Sequence, residues 1–138
     1  MGVSNKWLRQ IADSFVAETI KVLLVIPSYS YDPDNQFVSD IVPASNEAAG
    51  GTYVRKTVSG LLAVENDTDD RGEIYFDNVV WTALSVTDDA VSGAWFYKFV
   101  TTDADSPLRF FLPFSKTTNG EDFTLRPPTA GAIWIVGG

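Results

Sequence analysis

The sequence predicts a mainly β chain: an antiparallel β-sandwich or jelly-roll-like barrel with a short N-terminal helix. Three observations lead there. Short apolar runs, about eight of them, recur at roughly even spacing with Gly, Pro, Asn and Asp between them. No segment of crossover-helix length separates one run from the next, which disfavours a parallel α/β sheet. Near the start the apolar residues switch to a helical period. With 138 residues, no internal repeat and no linker, the chain reads as one domain, a helical arm at 1–17 followed by a β domain at 18–138.

The helix is predicted over 4–17. Trp7, Ile11 and Phe15 recur every fourth residue, with Leu8 and Ala12 beside them, while Lys6, Arg9, Gln10, Asp13 and Ser14 fall off the stripe. Ser4 or Asn5 can cap its first turn. A helix this short is marginal alone in water, so its stripe must pack either on its own core or on a neighbouring subunit.

From Thr19 the signals turn to β. Thr19–Ile26 is rich in branched residues, and its continuous run from Val22 suits a strand covered on both faces. Ser28–Asn35 carries two tyrosines and the turn-forming Asp32-Pro33-Asp34-Asn35. Phe37, Val38, Ile41 and Val42 allow a turn or two of helix before Pro43. Tyr53–Val58 and Leu61–Val64 read as strands on either side of Gly60, and Glu65–Gly72 as an acidic turn. Glu73–Thr82 reads as two short strands parted at Asp77-Asn78. In Ala94–Val100, alternation puts Trp95, Tyr97 and Phe99 on one face and Phe96 and Lys98 on the other. Leu108–Phe114 carries Pro113, which belongs at an edge or end. A turn at Asn119-Gly120 leads to Phe123–Arg126 and Ala132–Val136.

Composition excludes much chemistry. The chain has neither histidine nor cysteine, which removes Ser-His-Asp and Cys-His nucleophile systems and the usual zinc, haem and copper ligand sets. Its net charge of −8 repels phosphate backbones and anionic lipid, so neither nucleic acid nor a membrane is expected as a partner. The polar start lacks a signal-peptide pattern, and the longest aliphatic run, Val22–Ile26, is far short of a membrane span.

Local motifs add little chemistry. Asn66–Glu73 has the oxygen donors of a calcium loop, but Arg71 stands where the next donor of Asp67-x-Asp69 belongs, so a solvated turn outweighs a cation site. Gly50-Gly51 lacks the Lys-Ser/Thr of a phosphate loop, and there is no Gly-x-Ser-x-Gly elbow. No catalytic residue, metal ligand or cofactor is expected. The aromatic residues sit mostly in apolar strand contexts, which favours a core or a subunit interface; Tyr29 and Tyr31, in a polar loop, could instead stack on a sugar.

Across most of its length the chain resembles a family of small virion structural proteins of tailed bacteriophages. The resemblance rests on the order and spacing of several pieces. These are the short helix, Lys21–Val25, Ser39-Asp40-Ile41, Asn46-Glu47, Gly51–Arg55 and Val58–Leu61. They continue with Ile74–Ala83, Trp95–Phe99, Ser106-Pro107-Leu108, Gly120–Leu125 and Gly131–Val136. Trp95-Phe96-Tyr97 and Phe110-Phe111-Leu112 are bulkier than the family's usual aliphatic runs. The resemblance implies a non-enzymatic assembly protein, with a capsid decoration or cement protein favoured. Such a protein lies on the capsid exterior, binds the major capsid protein, bridges capsomers and forms a homo-oligomer, with a trimer favoured. A tail or head–tail connector component and a carbohydrate-binding β-sandwich module are the alternatives. The expected interface residues are Trp7, Leu8, Ile11 and Phe15 of the helix, with Ile133, Trp134 and Ile135 of the terminal strand.

Overall fold

A computed structural model describes residues 2–41, 46–127 and 133–136. Among them run one α-helix, α1 (Asn5–Val16), and nine strands. The strands are β1 (Ile20–Val25), β2 (Lys56–Thr57), β3 (Leu62–Asn66), β4 (Arg71–Tyr75), β5 (Val79–Trp81), β6 (Ala90–Lys98), β7 (Leu108–Thr117), β8 (Phe123–Leu125) and β9 (Ile133–Val136). The class is the expected one: mainly β, antiparallel, with one short N-terminal helix. The chain divides into two compact units, one built from 1–19, 58–79 and 125–138, the other from 20–57 and 80–124.

The first unit is a three-stranded sheet, ordered β3-β4-β9, under α1. Ser4 caps the helix by accepting a hydrogen bond from the Trp7 N–H at 3.2 Å, which satisfies one of the donors that a helix start leaves open. The buried stripe runs through Leu8 and Ala12; Ala12 forms a small core with Ala63 of β3 and Ile74 of β4, onto which Phe15, Val16, Leu61 and Ile133 pack. The helix lies very close to the sheet at Gly72, where a Cβ would sit 2.7 Å from the Leu8 carbonyl oxygen. Strands β3 and β4 form a hairpin, with Asn66 opposite Arg71. The Asn66 Oδ1 accepts hydrogen bonds from the Thr68 and Asp69 N–H groups, an Asx-type turn of the kind that favours asparagine there.

The second unit holds a four-stranded sheet ordered β2-β1-β6-β7. Within β1, Val22, Leu23, Leu24 and Val25 are all fully buried, as a strand covered on both faces requires. Leu23, Val25, Trp95 and Tyr97 share one sheet face and pack against Val38 and Ile41. The helical turn expected near residue 38 is present as a single 3₁₀ turn, Val38–Asp40; Val42 lies outside the described residues. The Asp40 carboxylate accepts hydrogen bonds from the Phe37 and Gln36 N–H groups, and these hold its pKa below the ordinary value. The strand expected over Tyr53–Val58 is shorter than the sequence predicts, only Lys56–Thr57, because the preceding residues are drawn into a polar network. Arg55 pairs through two nitrogens with Glu47, at 2.7 and 2.8 Å, and reaches Asp103 at 2.7 Å. Tyr53 donates to Glu47 at 2.6 Å and accepts from the Leu24 N–H. Burial first, then the negative charge of Glu47, pushes the Tyr53 hydroxyl far above its usual range.

Strands β5 and β8 pair as a short ribbon. In the second unit the Trp81 ring stacks on Phe123 at 5.7 Å, and its indole N–H donates to the Val54 carbonyl at 2.7 Å. The Ala83 backbone sits in the left-handed region at φ 49°, held there by its N–H donating to Asp122 and its carbonyl accepting from Thr52.

Candidate functional site

In the first unit the helix divides its apolar residues between two surroundings. Leu8 is only 3% exposed, so it is not open to a second chain; Phe15 is half-buried against the Ala12, Ala63 and Ile74 core. Trp7 and Ile11, each one position before a buried residue, fall on the flank of the stripe and are 51% and 40% exposed. Strand β9 makes a similar division by alternation. Ile133 pairs in register with Ile74 and packs on the helix side, whereas Trp134, paired with Glu73, is 51% exposed. Ile135 is placed by its register opposite Gly72. Of the seven expected interface residues, Trp7, Ile11 and Trp134 therefore present large apolar surface to solvent.

Around Trp134 stands a charged group drawn from the β3–β4 turn and from β4. The Arg71 guanidinium lies 3.8 Å from the Trp134 ring centroid, in the geometry of a cation–π contact. Arg71 also pairs with Glu73 at 2.7 Å and with Asp69 at 3.5 Å. The Glu73 carboxylate is almost fully covered and accepts hydrogen bonds from Asn66 at 3.0 Å and from the Tyr75 hydroxyl at 2.8 Å. Desolvation alone would raise its pKa. The hydrogen bonds from Asn66, Arg71 and Tyr75 and the charge of Arg71 outweigh that and hold it below the ordinary 4.5. Among the described residues no group of three or more acidic side chains is placed to hold a metal ion.

The second unit carries an open cleft of about 500 Å³ lined by Tyr31, Trp95, Arg109, Phe110, Phe111 and Pro113. Phe111 and Pro113 alternate along β7, an edge strand of its sheet, and so share one face, while Arg109 stands at an irregularity in the β6–β7 register. Phe111 registers with Trp95 on β6, and their ring centroids are 5.3 Å apart. Gly93 makes room for this: a Cβ there would collide with the Phe111 ring. Tyr31 stacks on Phe111 at 5.5 Å and 19°, and lies 5.8 Å from Trp95. Tyr29 braces the floor, since its hydroxyl accepts from the Trp95 indole N–H at 3.0 Å and donates to Asn35 at 2.9 Å. Thus the two tyrosines singled out in the sequence do different work. Tyr29 is a half-buried support, and Tyr31, 56% exposed, is a wall of the cleft. The sequence reading missed Arg109 and Phe111. The available signal for Phe111 was its alternation with Pro113 on a proline-marked edge strand; Arg109, at the register irregularity, had none.

No helix among the described residues is long and apolar enough to cross a membrane. No protein-family model, curated protein or solved structure matches the chain.

Proposed function

We propose that the chain is a non-enzymatic structural protein of a tailed-bacteriophage virion, acting as a decoration or cement protein on the capsid exterior. In that role it binds the major capsid protein, bridges capsomers and assembles with copies of itself, as a trimer in the favoured arrangement. The observation that carries the reading is the exposure of Trp7, Ile11 and Trp134 on a unit whose core is formed by Ala12, Ala63 and Ile74. Large aromatic side chains left outside the core are the residue type that anchors protein interfaces. The resemblance to phage virion proteins supplies the partner, and multiplicity on a lattice supplies avidity that a single weak patch lacks.

The test uses substitutions at the surface. Removing residues 1–17 would also strip Ala12 from the core and unfold the unit. The purified protein is weighed alone and with empty phage capsids by native mass spectrometry and co-sedimentation. The expected result is an oligomer that co-sediments with capsids, with both properties weakened by Trp7→Ala and Trp134→Ala while circular dichroism is unchanged. A monomer that ignores capsids overturns the proposal.

A further inference from the structure

We propose that the aromatic cleft beside β7 is a binding site for a neutral saccharide ring. This inference concerns the second unit and does not rest on the assembly role argued for Trp7, Ile11 and Trp134. The volume, about 500 Å³, falls in the range of small-molecule sites. The lining is aromatic and apolar apart from one charged side chain, Arg109. That combination matches the two chemistries of a pyranose. Its C–H faces are apolar and stack on aromatic rings, and its hydroxyl edge needs donors and acceptors at the rim.

The aromatic surface is held in place before any ligand arrives. Phe111 is set over Gly93, Trp95 is tied by its indole N–H to Tyr29, and Tyr29 is tied to Asn35. Rings pinned by packing and hydrogen bonds lose little freedom on binding. Tyr31, 56% exposed, contributes an aromatic ring and a hydroxyl to the lining, and Arg109 adds a polar side chain to it. The chain's charge of −8 opposes an anionic ligand, so a neutral sugar fits better than an acidic one. The cleft is open along a sheet edge, which leaves space for the neighbouring residues of an oligosaccharide.

The experiment is saturation-transfer NMR on the full chain with cellotriose, maltotriose and triacetylchitotriose as separate probes, followed by titration of whichever responds. The expected result is transfer to the ring protons of at least one trisaccharide. Tyr31→Ala should weaken binding at least about tenfold, and Tyr31→Phe should retain most of it. Circular dichroism of both variants verifies the fold. Absence of transfer with all three probes, or transfer that survives Tyr31→Ala, overturns the inference. Capsid co-sedimentation of Tyr31→Ala is expected to match the parent protein, so the failure of one proposal is distinguishable from the failure of the other.

Discussion

At Glu73 a nearly buried carboxylate is kept ionised by Arg71, Asn66 and Tyr75. Its folded pKa lies below 4.5, so the folded state binds this proton more weakly than the unfolded chain does. The stabilisation is therefore fully present above about pH 4.5 and is lost as pH falls through the lowered folded value. Glu73→Gln should destabilise the protein by about 2 kcal/mol at neutral pH, because Arg71 loses its closest partner. Urea titrations at pH 7 and pH 3.5 should show the gap between variant and parent narrowing in acid. A second residue-scale expectation concerns Ala83, held at φ 49° where a Cβ is strained. Ala83→Gly should relieve about 1 kcal/mol and raise the melting temperature by roughly 2–6 °C, read by thermal circular dichroism. Neither feature was legible in the sequence. Glu73 reads in the sequence as the first residue of a strand with nothing to mark it as buried, and nothing in the residues around Ala83 marks a left-handed backbone, since glycine does not stand there.

Elements were read more successfully than their neighbours. The helix could be bounded because Ser4 and the four-residue recurrence of Trp7, Ile11 and Phe15 are local signals, and β1 because its apolar run is continuous. The two strands parted at Asp77-Asn78 were legible for the same reason. Pairing was not. That β6 lies between β1 and β7, or that β4 separates β3 from β9, depends on long-range register that no short window contains. Phe99 shows the limit of alternation. It shares parity with Trp95 and Tyr97, yet it lies past the end of β6 and is exposed, under the Lys21 ammonium at 3.9 Å. Gly72 is the position where helix and sheet most constrain each other. Gly72→Ala should push α1 away from β4 and cost about 1–3 kcal/mol. Hydrogen exchange should then quicken across 5–16 and 71–75 while staying unchanged in β1 and β6.

For the whole molecule, the net charge of −8 opposes the self-association proposed for it. If apolar anchors such as Trp7 and Trp134 draw copies together, salt should help by screening the repulsion between them. Sedimentation velocity at about 10 mM and about 150 mM sodium chloride should show more oligomer at the higher salt, where the Debye length is near 8 Å. A loss of oligomer with salt would instead point to an interface made of ion pairs. The cleft, too, was only half legible. Tyr31 stood out as an aromatic residue in polar surroundings, but Trp95 and Phe111 looked like ordinary strand residues until register set them side by side.

The first unit is assembled from three separate stretches of chain, with α1 first, the β3–β4 hairpin between the two stretches of the second unit, and β9 last. During synthesis the helix therefore leaves the ribosome long before the strand that completes its sheet, and Ala12 and Ile74 wait partly uncovered in the meantime. The last stretch of the second unit, 80–124, is complete before β9 is made. A chain cut short before Ile133 would lack the strand that completes the first unit's sheet and would leave the free side of β4 unpaired.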